Sequence, residues 1–191
     1  MRTMKIAYRS AVREDFTSVM SIAERELNSG GGYLDYMRGI FDGLGRDTAG
    51  ILAFCGKSLA GFAFAESGMS LTGGRTDFFD RIRADIGGEA IWTGAATAVL
   101  PEYMNMKIGS ALYIYLLSQL QDIGVRHLLL EIWVRPDGYA PSNANLATAG
   151  HYTEYGTVDN FYRQASEQGY VCPVCGDHCV CSAKIAVVHI V

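Results

Sequence analysis

Four thiols crowd the stretch from Cys172 to Cys181 and carry the most specific chemistry in the chain. Cys172-Pro173-Val174-Cys175-Gly176 is a C-P-x-C-G run, and Cys179 and Cys181 follow it closely. In such a run a tight turn aims backbone N–H groups at the first thiolate, the glycine takes up the turn's unusual dihedral, and two sulfurs converge on one ion. Cys172, Cys175, Cys179 and Cys181 are therefore the expected ligands of a metal, with His178 as an alternative. Tetrahedral thiolate ligation favours Zn2+, and ligand softness alone leaves iron open. Four protein ligands leave no position for water, so the expected role is structural. If so closely spaced a set cannot close round one ion unaided, His189 or a second copy of the chain, as in a homodimer, would complete it. A disulfide pair is the weaker reading in a reducing compartment.

A second stretch has the makings of an anion site. Val99-Leu100-Pro101-Glu102-Tyr103 leads through Met104-Asn105-Met106-Lys107-Ile108-Gly109 into Ser110-Ala111-Leu112. The unpaired amides at the start of a helix, with the positive end of its dipole, hold a phosphate without requiring a basic side chain. Lys107 could add a cationic contact.

These residues need elements to place them. Ile6 to Val12 reads as a strand, and Asp15 then opens a helix with Phe16, Val19, Met20, Ala23 and Leu27 at helical spacing. Gly30-Gly31-Gly32 breaks the pattern before a second short helix, whose apolar side runs from Tyr33 to Leu44 and which Gly45 ends. Ile51–Cys55 and Leu59–Ala65 flank Gly56-Lys57-Ser58 as an antiparallel hairpin. An extra helix is expected over Asp77 to Ile86, then a long strand from Ala90 to Leu100 with small Gly94, Ala95 and Ala96 at its middle. Gly109 to Ile123 is the clearest helix, and His127 to Val134 is another strand. Strand, helix and strand from 90 to 134 form a βαβ unit, so its two strands should lie parallel. Residues 136–158 show no sustained period and read as a long loop. Asn160 to Gln168 reads as a helix, Gly169-Tyr170-Val171 as the start of a strand, and Ser182 to Val191 as the last strand, with the cysteines at the tip between them.

In this setting the segment from Val99 to Leu112 resembles the acetyl-CoA-binding motif of the GNAT acetyltransferases, where strand, V-x-P-E-Y, a glycine-bearing turn and I-G-S-A-L occur in that order. The elements on either side match as well. The resemblance implies an α/β fold with a GNAT-like mixed sheet, largely antiparallel, whose central parallel pair splays to admit acyl-CoA and is flanked by helices. It also implies a single domain over 1–191, with the cysteine hairpin at 172–181 as an addition. Cofactor contacts would come from Val99, Leu100, Met104, Asn105, Met106, Lys107, Ile108, Gly109 and Ser110. The sequence departs from the family in its turn, since R-G-x-G-x-G stands here as Met104 to Gly109 and keeps only the last glycine. Insertions at about 67–88 and 136–158 would shape the acceptor site.

Moving an acetyl group from acetyl-CoA to an amine in a ternary complex requires a neutral amine, a stabilised oxyanion and a proton for the departing thiolate. Glu131, a carboxylate among apolar neighbours on the outgoing strand, is the first candidate for the base, ahead of Glu102 and His151. Backbone amides near Val99 and Leu100 would face the oxyanion. Tyr162, in Asn160-Phe161-Tyr162-Arg163-Gln164 with Gly169-Tyr170 beyond, resembles the tyrosine of the family's L-Y-E-K-x-G-F, which is positioned to protonate the leaving sulfur; Tyr152 and Tyr155 compete with it for that role. Seven residues separate Tyr162 from Gly169 where the family has four, close to one extra helical turn.

Composition narrows the partners. The 191 residues carry a formal net charge of −4, which argues against holding nucleic acid by phosphate neutralisation. With 49% hydrophobic and 19% charged residues the whole chain should fold. Its longest nearly apolar stretch, Ala90 to Leu100, is too short to cross a bilayer, no export signal follows the first residues, and a cytoplasmic protein without membrane contact is expected. The acceptor amine could sit on a small molecule or a peptide. The competing reading is a non-catalytic binding module with a degenerate GNAT core and a metal-stabilised interaction hairpin, favoured by the altered turn.

Overall fold

The computed structural model describes residues 5–27, 30 and 32–191. Of the expected glycine break, Gly31 lies outside the described residues. Strands β1 (Ile6–Ser10), β2 (Thr48–Cys55), β3 (Ser58–Ser67), β4 (Ile91–Val99), β5 (His127–Val134), β6 (Tyr152–Val158) and β7 (Ser182–His189) form one sheet in the order β1-β2-β3-β4-β5-β7-β6. Helices α1 (Phe16–Glu26), α2 (Tyr33–Asp42), α3 (Phe79–Ile86), α4 (Ile108–Asp122), α5 (Asn143–Ala149) and α6 (Arg163–Glu167) cover it on both sides.

Alternation along the strands divides the apolar side chains between two faces. On one face Ile51, Ala63, Leu128, Ile132 and Val188 pack against Ile108, Leu112, Leu116 and Leu120 of α4, with Leu146 of α5 beside them. Each such buried aliphatic side chain contributes roughly 1.5–3 kcal/mol. The opposite face is shared. Leu52, Phe62, Phe64, Ala96 and Ala98 pack under α1 and α2, whereas Leu129, Ile185 and Val187 pack with α3, Phe161, Tyr162 and the buried cysteines.

All the pairs are antiparallel except β4 with β5, which is parallel as the βαβ unit requires. That pairing covers only Ile91↔His127, Trp92↔Leu128 and Thr93↔Leu129. Beyond it β4 stays paired with β3 as far as Val99↔Gly61, and β5 stays paired with β7 as far as Val134↔Ser182. The two strands therefore part. A register shift places Ala95 as an extra residue on β4 between Gly94 and Ala96, and a bulge bends the strand that carries it. Gly94 sits at the fork: a Cβ there would lie 2.9 Å from Leu130 Cδ2, so the glycine lets Leu130 fill the base of the gap.

The C-terminal third differs from the sequence expectation. Residues 136–158 are not a long loop, because they contain α5 and the edge strand β6. The helix expected over Asn160 to Gln168 is reduced to Arg163–Glu167, and Gly169-Tyr170-Val171 does not begin a strand. Tyr170 instead stacks on Tyr162 with ring centroids 5.8 Å apart. The helix leading directly into the terminal strand pair is α5, while α6 and the cysteines form an excursion between β6 and β7. α4 begins one residue earlier than expected, at Ile108.

Candidate functional site

The open end of the β4–β5 gap meets the turn before α4. Leu100 N–H donates to Ala60 O at 2.9 Å, which commits that amide to β3. Gly61 and Val99 are the next pair along the ladder, and antiparallel geometry turns the groups of such a neighbouring pair away from the partner strand. Of the two amides expected to serve the oxyanion, Val99's is thus the one that faces the gap.

The turn keeps the backbone shape that its missing glycines would favour. Asn105 has φ 63° and Lys107 φ 60°, both left-handed. Asparagine tolerates that region, whereas a residue such as lysine pays about 1–2 kcal/mol there. No side chain caps α4, and Ala111 N–H reaches back to Lys107 O at 3.0 Å. The amides of Ile108, Gly109 and Ser110 precede that first intrahelical bond, as they must at a helix start. Gly109 adds room, because a Cβ there would meet only Val99 Cγ2 at 3.9 Å. Met104 and Met106 are exposed on either side of Asn105. Uncapped amides, a helix dipole and a slot beside Gly109 suit a phosphate-bearing linker such as that of acetyl-CoA.

Glu131 and Tyr162 come together on the face opposite α4. The carboxylate of Glu131, just beyond the last β4–β5 pair, accepts the Thr72 backbone N–H at 2.8 Å on Oε2 and the Thr72 hydroxyl at 2.7 Å on Oε1. The Tyr162 phenol lies near enough to the same carboxylate to help hold it ionised. Burial raises the pKa of Glu131, and the donors from Thr72 and Tyr162 oppose that rise. Burial, then the negative charge of Glu131, holds the Tyr162 phenol well above its ordinary range. The Tyr36 phenol of α2 lies within electrostatic reach of Glu66 and Glu131, and burial foremost raises it too. Beside Tyr36 and Glu66 opens a pocket of about 340 Å³ between α2 and the β2–β3 edge, whose lining includes Asp35, Asp42 and Asp47.

The other two proton-transfer candidates lie elsewhere. Glu102 is exposed and 3.8 Å from Arg25. His151 accepts from His189 N–H through its backbone carbonyl at 2.9 Å, at the end of the sheet where β4 and β5 are still joined. Tyr162 also stands apart from the family's helix, since four residues before Gly150 in α5 comes Leu146, which holds no proton to give. Its claim to a role rests on its contact with Glu131. Thr72 and Tyr36 were not legible as site residues: Thr72 reaches Glu131 across 59 residues of sequence, from a turn of threonine and glycines.

The thiols of Cys172, Cys175, Cys179 and Cys181 all lie within 4.8 Å of one another, so the set closes without help from His189 or a second chain. Cys172 and Cys181 are 3.9 Å apart and Cys175 and Cys181 3.5 Å, close to the roughly 3.8 Å edge of a tetrahedron with Zn–S bonds near 2.3 Å. Cys172 and Gly176 exchange two backbone hydrogen bonds of 2.9 Å, with Gly176 at φ 75°, and Val174 N–H points at the Cys172 sulfur at 3.5 Å. None of the four is in a disulfide. Burial raises the Cys181 thiol and takes Cys179 to about 11; a metal ion would have to displace these protons. The four cysteines form a set that could hold a metal.

No protein-family model and no curated protein matches the sequence. Among solved structures the match is to GNAT acetyltransferases. Arabidopsis thaliana NAA60 in complex with acetyl-CoA is 15% identical over 97% of this chain and 99% of its own, with a TM-score of 0.64. An acetyltransferase of the GNAT family from Streptococcus pneumoniae is 14% identical over 97% and 100%, with a TM-score of 0.63. A chain of the NatC complex bound to Gag peptide and CoA is 14% identical over 98% and 100%, with a TM-score of 0.66. The fold is that of the GNAT acetyltransferases: a mixed sheet, mostly antiparallel, with a parted parallel pair at its centre.

Proposed function

We propose that the chain is an acyl-CoA-dependent N-acyltransferase that moves an acetyl group to an amine in a ternary complex. The observation that carries this reading is the parting of β4 and β5 after Thr93 and Leu129, opening beside a left-handed turn and an uncapped helix start. NAA60 and the NatC chain, which share the fold, are described with acetyl-CoA and with CoA.

Acetyl-CoA, when bound, supplies an activated carbonyl and a thiolate leaving group. The amides from Ile108 to Ser110 hold its phosphates, with Lys107 contributing charge. Glu131 takes the proton of the amine, directly or through a water, and burial makes it a better base than an ordinary carboxylate. Val99 N–H faces the gap where the oxyanion develops, a place where a fixed donor acts strongly. Tyr162 keeps its proton through neutral pH, gives it to the departing sulfur, and regains one from the nearby Glu131. One proton thus leaves the amine and one arrives at the thiolate, with both residues restored.

The metal reading is structural. Zn2+ held by the four cysteines would fasten the excursion that carries Tyr162 and Tyr170 to the sheet. Cys179 N–H, bonded to Ser166 Oγ at 3.2 Å, ties that knuckle to α6.

The test is an amine panel with free-thiol detection of CoA. Acyl transfer predicts release that depends on a particular amine and on Glu131. Amine-independent release, or none, defeats the proposal. A non-catalytic module would show stabilisation by acetyl-CoA without turnover, or no binding at all.

A further inference from the structure

Arg135, next to the proposed catalytic face, meets no carboxylate among the described residues. Its buried Nε has no hydrogen-bond partner among them. Its guanidinium carbon lies 4.9 Å from the centre of the Trp133 ring and 5.0 Å from that of Tyr139. A backbone hydrogen bond of 2.9 Å from Arg135 N to Tyr139 O closes the loop that brings Tyr139 there.

Two rings on a guanidinium stabilise its charge and fix its plane. What remains for a ligand is the planar edge, with N–H donors in the fork that suits a carboxylate or a phosphate. Other arginines of the chain show the contrast: Arg9, Arg25, Arg46 and Arg75 each have a carboxylate at hand. Strand alternation puts Glu131 and Trp133 on one face, and Arg135 stays over the Trp133 ring, about 13 Å along the backbone from Glu131. Tyr36, within electrostatic reach of Glu131, also borders the pocket lined by Asp35, Asp42, Asp47, Glu66 and Arg46, where carboxylates outnumber the cation.

Resting on the acyltransferase reading, we infer that the acceptor is an amine that also carries an anionic group, a carboxylate or a phosphate, and that Arg135 binds that anion while the amine meets Glu131. Arg135 here sets specificity and touches none of the reacting atoms. The acetyl-CoA phosphates are the alternative source of the anion. They are assigned to the α4 start, on the opposite face of the sheet, and the test separates the two.

The experiment compares matched amines with and without the anion, 4-aminobutyrate against butylamine and glycyl peptides with free against amidated C-termini, in the wild type and in Arg135→Gln and Arg135→Lys. The expected result is a preference for the anionic members. Both variants should raise KM for those amines by about tenfold or more, leaving kcat, the KM for acetyl-CoA and the melting temperature little changed. Arg135→Lys should fall short of rescue because it keeps the charge and loses the fork. A rise in the acetyl-CoA KM instead would assign the cation to the donor and overturn the inference. Equal use of both members of each pair would overturn it too, as would metal loss from Arg135→Gln with acceptor KM unchanged. No turnover with any amine would remove the acyltransferase reading itself, and the inference with it.

Discussion

Thr72 grips Glu131 at two points, its backbone N–H on one carboxylate oxygen and its hydroxyl on the other, at 2.8 and 2.7 Å. These bonds favour the ionised form, which burial disfavours. Thr72→Val removes one of them. The acid limb of kcat/KM against pH should move to higher pH, because less opposes the effect of burial. An unmoved limb would dissociate Glu131 from the proton transfer.

Glu131 also links activity to stability. Its folded pKa is raised, so its contribution is fully present below the unfolded carboxyl value and is lost as pH rises through the folded value. Glu131→Gln, which cannot ionise, should therefore melt at a temperature closer to or above that of the wild type at pH 8 than at pH 4, while turnover falls by about 10²–10⁴-fold. Thermal melts at the two pH values check the sign, and a variant that loses most stability at high pH would contradict it.

Tyr162→Phe keeps the ring against Phe161 and Tyr170 and deletes only the hydroxyl. A proton donor to the thiolate predicts a fall in kcat of about 10²-fold or more with KM near the wild-type value. Unchanged kcat would reduce Tyr162 to packing.

How far the chain could be read in advance varied along it. The stretch from β4 through α4 to β5 was legible because a small-residue strand, Pro101, a periodic helix and Gly124 punctuate it, and the cysteine run declared itself by spacing. β6 was not, because it is an edge strand of Tyr, Thr, Glu and Gly with a single Val at its end, and it buries only Tyr155 and bulges there, so no apolar alternation marks it. Gly169-Tyr170-Val171 misled in the other direction, since Tyr170 packs beside the cysteines and against Tyr162. Glu131 could be singled out as a carboxylate among apolar neighbours. Its partner Thr72 could not, because only the fold brings the two together.

Removing metal offers a separate check. Elemental analysis should find one ion per chain, and a chelator or Cys181→Ser should lower the melting temperature, because binding energy at such a site is folding energy. Turnover should fall with it, through loosening of Tyr162 and Tyr170. Metal-free protein with native melting would remove the structural role.

Gly109 separates folding from cofactor contact. A methyl group there meets only ordinary van der Waals distance from Val99, so Gly109→Ala should fold as the wild type does. If phosphates approach the helix start closely, the same variant should raise KM for acetyl-CoA several-fold. A variant normal in both respects would place the cofactor elsewhere.

Calorimetric titration of acetyl-CoA into the purified chain addresses the parted strands most directly. One site per chain is expected, weakened in Gly109→Ala and matched by a rise in melting temperature that grows with ligand concentration, as mass action requires. No heat and no thermal shift at millimolar acetyl-CoA would contradict a gap built to receive it.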